Sequence, residues 1–193
     1  MSTSAALLRI DEALEYLAKV VAAQKAAPEP DLDRLLVAYG EARRELARSF
    51  RELASSLLVR ASERLEQVSA HIQTRMCKNF GDLVPERLLE VRGYASVHAV
   101  LLEYLAGHVS QPVPASRLRV LVGDQVHTER RVRELRDLGF AVTWKKVAGE
   151  DQYVLQSDRP DLDVGAKSQL ALRIRADKRL SRAQRASLLE LTT

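Results

Sequence analysis

Cysteine is nearly missing from this chain: Cys77 stands alone, so no internal disulfide can form. With only four histidines beside it, no Cys/His framework for zinc is available either. That usage suits a reducing cytoplasm, the expected location. No apolar run approaches the ~20 residues that a membrane-crossing helix requires. The start of the chain carries acids at Asp11, Glu12 and Glu15, where a signal peptide would keep a basic start and an unbroken apolar centre. A soluble protein with no membrane contact is therefore expected. Aromatics amount to only 5%, although apolar residues, at 46%, suffice for a core. The eight glycines are dispersed singly, which removes any glycine-rich phosphate loop. No Gly-x-Ser-x-Gly context surrounds a serine, and no carboxylate pair stands with a lysine at nuclease spacing. Nothing here proposes a reaction. The expectation is a protein that is not an enzyme and that needs no metal and no cofactor.

What the chain does have is alanine, leucine, arginine and glutamate, a mixture that favours helix. At 193 residues there is room for one ordinary domain or two small ones. The net charge of +4 is mild, and its placement says more than its size. Residues 1–93 carry 14 basic and 14 acidic side chains, and residues 94–158 carry 8 of each. The excess sits in residues 159–193, with 8 basic against 4 acidic. A DNA-binding domain is usually more lopsided than the middle segment, though local clustering matters more than the sum.

Hydrophobic spacing predicts a first helix over Ser4 to Ala27, with Leu7, Ile10, Leu14, Leu17, Val20 and Val21 three and four residues apart. Pro28-Glu29-Pro30 ends it, and Asp31 is placed to cap a second helix. From Leu32 an apolar pattern continues to Met76 without proline, potentially about 45 residues of helix and roughly 65 Å. Tyr39, Leu46 and Leu53, with Phe50 and Leu57, give it a near-heptad, coiled-coil-like stretch. So long a stripe folds back on itself, packs on later segments or meets a second copy. A homodimer through this helix is the favoured expectation, with a bundle broken near Gly40 or Ser55-Ser56 as the alternative. Asn79 to Asp82 signals a turn, Pro85 restarts a short helix, and Gly93 marks the boundary of a helical dimerisation domain over residues 1–93.

Residues 94–158 read as a winged helix-turn-helix. Ser96 caps a helix ending near Gly107, Gln111-Pro112-Val113 is extended, and Pro114 to Val122 forms a second helix. After the Gly123-Asp124 turn, a third helix from about Val126 to Leu138 carries Val132, Leu135 and Leu138 inward and is stopped by Gly139. Ala141 to Val147 and Gln152 to Gln156 make a wing hairpin, with Ala148-Gly149-Glu150-Asp151 as its tip. Residues 159–193 follow as a basic helical tail, in which Ser181 caps a last helix. The fold class is thus mainly α with a small β-hairpin, a long-helix N-terminal part preceding the winged helix.

A major groove about 12 Å wide admits one helix, whose early exposed positions face base edges. Those positions here are Gln125, His127, Thr128, Arg130 and Arg131, with Arg133 or Glu134 one turn later. Arginine suits bidentate contact with guanine, and glutamine suits adenine. Lys145 and Lys146 on the wing are placed for phosphate or the minor groove, and Arg117 and Arg119 on the second helix for the backbone. Val132, Leu135, Leu138, Phe140, Val142 and Trp144 are assigned to the core. An ordinary surface helix, with its arginines paired to Glu129, Glu134 and Asp137, is the plainer alternative.

The run ERRVRELRDLGFAV, followed by QYVL, resembles the winged-helix segment that precedes the nuclease module in bacterial HNH-type restriction endonucleases. The likeness covers about 45 of the 193 residues. It implies DNA binding in a defence or restriction setting. It does not imply cleavage, because no histidine follows His127 and Cys77 lies upstream, so the His-Asn-His module is absent. The expected function is a dimeric protein that inserts an arginine-rich helix into double-stranded DNA. An adaptor using the same elements for protein contacts, or a DNA-targeting subunit of a nuclease, are the other readings.

Overall fold

The computed structural model describes residues 3–123 and 127–192, with side chains for all of these except residues 3 and 55–60. The helices are α1 (Thr3–Ala26), α2 (Leu32–Phe80), α3 (Ser96–Ala106), α4 (Ala115–Leu121), α5 (Thr128–Glu134), α6 (Leu162–Ala176) and α7 (Arg182–Glu190). The strands β1 (Val113–Pro114), β2 (Val142–Val147) and β3 (Glu150–Leu155) form one antiparallel sheet in the order β1-β3-β2. The protein is mainly helical with a small sheet, as periodicity and composition imply. Among the described residues no helix is long and apolar enough to cross a membrane.

The chain divides into two compact units, residues 1–57 with 116–128, and residues 58–115 with 129–193. The first division falls inside α2, away from Gly93. In the first unit α1 runs antiparallel to the first part of α2: Tyr16 Oη donates to Glu41 at 2.9 Å, while Arg9, nearer the N-terminus, bonds the more distant Glu52. Asp31 caps α2 as its position predicts, accepting from the Arg34 amide at 3.0 Å. The helix passes Gly40 unbroken. The inward stripe, however, is made of small residues. Ala6, Ala13 and Val20 on α1, and Ala38, Ala42, Ser49 and Ala54 on α2, are buried. Leu7, Leu14, Leu36 and Tyr39 are about half exposed, at 50%, 49%, 57% and 54%. Periodicity finds both stripes and cannot say which faces in; small side chains permit the closer helix approach.

In the second unit the later part of α2 buries Ala61, Leu65, Val68, Ile72 and Met76 at three- and four-residue spacing. Leu101, Leu102 and Leu105 of α3, Leu155 of β3, and Leu170 and Ile174 of α6 complete an aliphatic core. Four local expectations are corrected here. Helix α3 begins at Ser96 with Ala95 in the cap position, where the Ala95 amide donates to His98 Nδ1 at 3.1 Å. The wing turn is only Ala148-Gly149, both at positive φ (50° and 83°), as a two-residue hairpin turn demands. Glu150 and Asp151 consequently belong to β3, paired with Val147 and Lys146. Third, Trp144 is not core: the inward face of β2 ends with Val142, and the indole lies 52% exposed.

Finally, residues 159–193, read from the sequence as a basic helical tail, pack into the second unit. Helix α6 packs so closely on the turn Leu135–Leu138 that a Cβ at Gly165 would sit 3.1 Å from the Leu138 carbonyl oxygen. Arg173 donates to the Glu90 carbonyl at 2.7 Å, and Arg185 donates to the carbonyls of Asp177 and Ile174. These two arginines close backbone acceptors and are not left to solvent.

Candidate nucleic-acid interface

Helix α5 owes its position to an inward stripe at helical spacing, Thr128, Val132, Leu135 and Leu138, all buried. Its last turn tightens to a 3-10 turn over Leu135–Leu138, and Gly139 at φ 80° ends it. Glycine is required there twice over. A side chain would have to adopt the left-handed region, and its Cβ would fall 2.0 Å from the Asp161 carbonyl oxygen. What α5 turns outward is arginine: Arg130 with 64% of its side chain exposed, Arg131 with 37%, and Arg133, which is exposed. Arg136 instead donates from Nε to the Val142 carbonyl at 2.7 Å, tying the helix end to the start of β2.

Glu134, only 7% exposed, gathers much of this charge. Its Oε1 accepts from Arg130 Nε at 3.0 Å and Arg92 NH2 at 3.5 Å. Its Oε2 accepts from Arg131 NH1 at 3.1 Å and meets His98 Nε2 at 2.8 Å. Burial would raise the pKa of this carboxyl, but the His98 hydrogen bond, the Arg92 charge and the bonds from Arg131 and Arg130 outweigh it. The group titrates at about 2. Because His98 Nδ1 accepts from the Ala95 amide, the proton of a neutral ring sits on Nε2 and points at Glu134. Arg92 is held by its backbone: its amide donates at 3.0 Å to Oε1 of Gln169, a fully buried side chain of α6. The Gln169 amide nitrogen donates in turn to Tyr94 Oη at 2.6 Å and the Asp137 carbonyl at 2.8 Å. Every polar atom of Gln169 is satisfied. The guanidinium of Arg92 lies 6.0 Å from the centre of the Tyr94 ring.

The hairpin contributes Lys145 and Lys146, both exposed. Successive strand residues point to opposite faces, so these two lysines cannot serve one surface together. Lys146 shares a face with Trp144 and stands opposite Asp151, whereas Lys145 stands opposite Gln152.

The remaining sequence-derived positions fare unequally. Gln125 lies outside the described residues. His127 is exposed, at a positive φ of 67°. Thr128 is only 1% exposed and is corrected from a groove-facing residue to the first member of the buried stripe. Glu134, named as an alternative contact, is likewise buried and acts as an acceptor for arginines. Arg117 and Arg119 are exposed on α4, in the first compact unit. Sequence reasoning missed Arg92, His98 and Gln169 altogether. A histidine on the apolar face of α3 signals that a buried polar partner exists, but nothing local names Glu134, and nothing at all marks Arg92 beside Gly93.

Among the described residues, no three His, Cys, Asp or Glu side chains are gathered as metal ligands. Compared with known protein families, residues 98–167 match the model described as KpnI N-terminal domain, a domain associated with a restriction endonuclease of the HNH type. The matched segment runs from α3 into α6 and contains all of α5 and the hairpin. It covers just over a third of the chain. No curated protein and no solved structure matches the chain.

Proposed function

We propose that this protein is a non-enzymatic double-stranded-DNA-binding component of a restriction, defence or DNA-processing system. The single observation that carries this reading is the outward face of α5, where Arg130, Arg131 and Arg133 stand on a helix anchored by the buried side chains of Thr128, Val132, Leu135 and Leu138. The order α3-β1-α4-α5-β2-β3 and the strand order β1-β3-β2 support the reading of a winged helix-turn-helix, in which α5 would be the recognition helix and the β2–β3 hairpin the wing. The likeness of residues 98–167 to a restriction-enzyme-associated domain supports the same reading. In it, α5 enters the major groove and Lys145 or Lys146 meets a phosphate. The uncovered leucines of α1 and α2 belong to a homodimer contact, which would set two recognition helices on half-sites about one DNA turn apart.

Electrophoretic mobility shift of a duplex, titrated with the full chain across salt, tests the proposal. Binding is expected to weaken steeply between 50 and 200 mM salt, by roughly 10-fold or more. The Arg130→Ala/Arg131→Ala double variant is expected to lose it. Undiminished binding in that variant would remove α5 from the interface and with it the proposal.

A further inference from the structure

Three guanidiniums converge on one carboxylate beside the outer face of α5. The two oxygens of Glu134 already receive Arg92, Arg130, Arg131 and His98, which fills the roughly four lone-pair sites a carboxylate offers. Three fixed positive charges meet the Glu134 carboxylate, with Asp137 as a second negative charge within electrostatic reach of Arg92, and the cluster keeps a positive excess. Each arginine spends a single nitrogen on Glu134: Arg130 its Nε, Arg92 and Arg131 one terminal nitrogen each. Their other donors remain available at side chains 37% exposed for Arg92, 64% for Arg130 and 37% for Arg131. A planar fork of N–H donors fits phosphate oxygens closely. The side chains are also ordered in advance, so little rotamer freedom remains to be lost when an anion arrives. The same tether shortens the reach of Arg130 and Arg131, drawing them back along the helix surface and away from a groove floor. Arg133 carries no hydrogen bond or ion pair to a described residue and keeps its full length.

We infer that Arg92, Arg130 and Arg131, held together by Glu134, form one binding site for a backbone phosphate of DNA, and that base reading on α5 falls to Arg133. The inference rests on the DNA-binding reading above and adds to it a residue from outside the helix and a division of labour within it. His98 and Gln169 are positioning residues: the first fixes the Glu134 carboxylate, and the second fixes the backbone that carries Arg92.

Fluorescence anisotropy of labelled duplexes of several sequences, titrated with the full chain at a series of salt concentrations, separates the possibilities. Arg92→Ala is expected to weaken binding to every duplex by a similar factor and to lower the slope of log affinity against log salt by about one. Arg92→Lys, which keeps the charge, is expected to restore most of that slope. Arg133→Ala is expected to reduce the difference between duplexes while leaving the slope nearer its original value. If Arg92→Ala keeps wild-type affinity and slope while Arg130→Ala/Arg131→Ala loses binding, the DNA-binding reading stands and the three-arginine site is overturned. If the unaltered chain binds no duplex, both fall. A third arm uses inorganic phosphate alone. Should it raise the melting temperature of the wild type but not of Arg92→Ala, with duplex affinity equal in the two proteins, the site takes a free oxyanion and the assignment to DNA is overturned.

Discussion

A single buried carboxylate decides much of the chemistry at α5. Glu134 titrates at about 2 instead of near its ordinary 4.5, because the His98 and arginine contacts outweigh the burial that opposes them. Its folded-state pKa lies below the unfolded value, so the stability it contributes is fully present above about pH 4.5 and drains away as pH falls toward 2. Thermal melts followed by circular dichroism between pH 6 and pH 2 should show this loss in the wild type and a shallower one in Glu134→Gln. At pH 7 the same substitution should cost about 2 kcal/mol, the worth of hydrogen bonds to a charged acceptor. Tyr153 presents the opposite case. Its ring is 1% exposed, and its hydroxyl is buried without a partner among the described residues. Tyr153→Phe removes that stranded group at no cost in shape and should raise stability by about 1 kcal/mol in chemical denaturation. A marked loss would mean that the hydroxyl is hydrogen-bonded.

Among the secondary-structure elements, α6 deserves its place beside α5, since it carries Gln169 and closes on the turn after α5. Its start is set by Asp161, whose Oδ1 accepts from the amides of Asp163 and Val164 at 3.0 and 3.1 Å. The Asp161 amide also donates to the Gly139 carbonyl at 2.9 Å, joining the cap of α6 to the end of the 3-10 turn. Asp161→Ala keeps that backbone bond and loses the cap, so urea unfolding should register a cost of about 1 kcal/mol. Asp161→Asn, which can still cap, should lose much less. Equal losses from both substitutions would show that the side chain does something other than cap. The low amphipathicity of α6 hid its role: charged residues flank Ala166, Leu170 and Ile174 closely enough to blur the stripe, yet all three are buried.

At the scale of the whole molecule, the leucines of α1 and α2 stand out as large apolar side chains left exposed. Leu7, Leu8, Leu14, Leu32, Leu36 and Val37 range from 49% to 66% exposed. Water contact over so many large aliphatic side chains is unfavourable by about 25 cal/mol per Å², and the proposed homodimer would relieve it. Multi-angle light scattering should return a mass near twice 21.6 kDa, and Leu7→Glu/Leu14→Glu should return a single copy. A monomeric mass for the unaltered chain at micromolar concentration would dispose of the homodimer. DNA binding by a single copy would survive that result.

The helices α1 and α2, the glycine stop at Gly139, the short strands and the Ser181 cap of α7 are all readable from residue types, because each follows from local rules of periodicity, φ preference and capping. The arginine face of α5 is readable for the same reason. Which of two apolar stripes on α1 faces inward is not, since Ala6 and Ala13 repeat with the same period as Leu7 and Leu14. Nor is the gathering of Arg92 and His98 at Glu134, with Gln169 holding the backbone of Arg92, whose members come from residues 92 to 169. Their meeting depends on α6 packing against the turn after α5, a long-range contact that no stretch of neighbouring residues encodes.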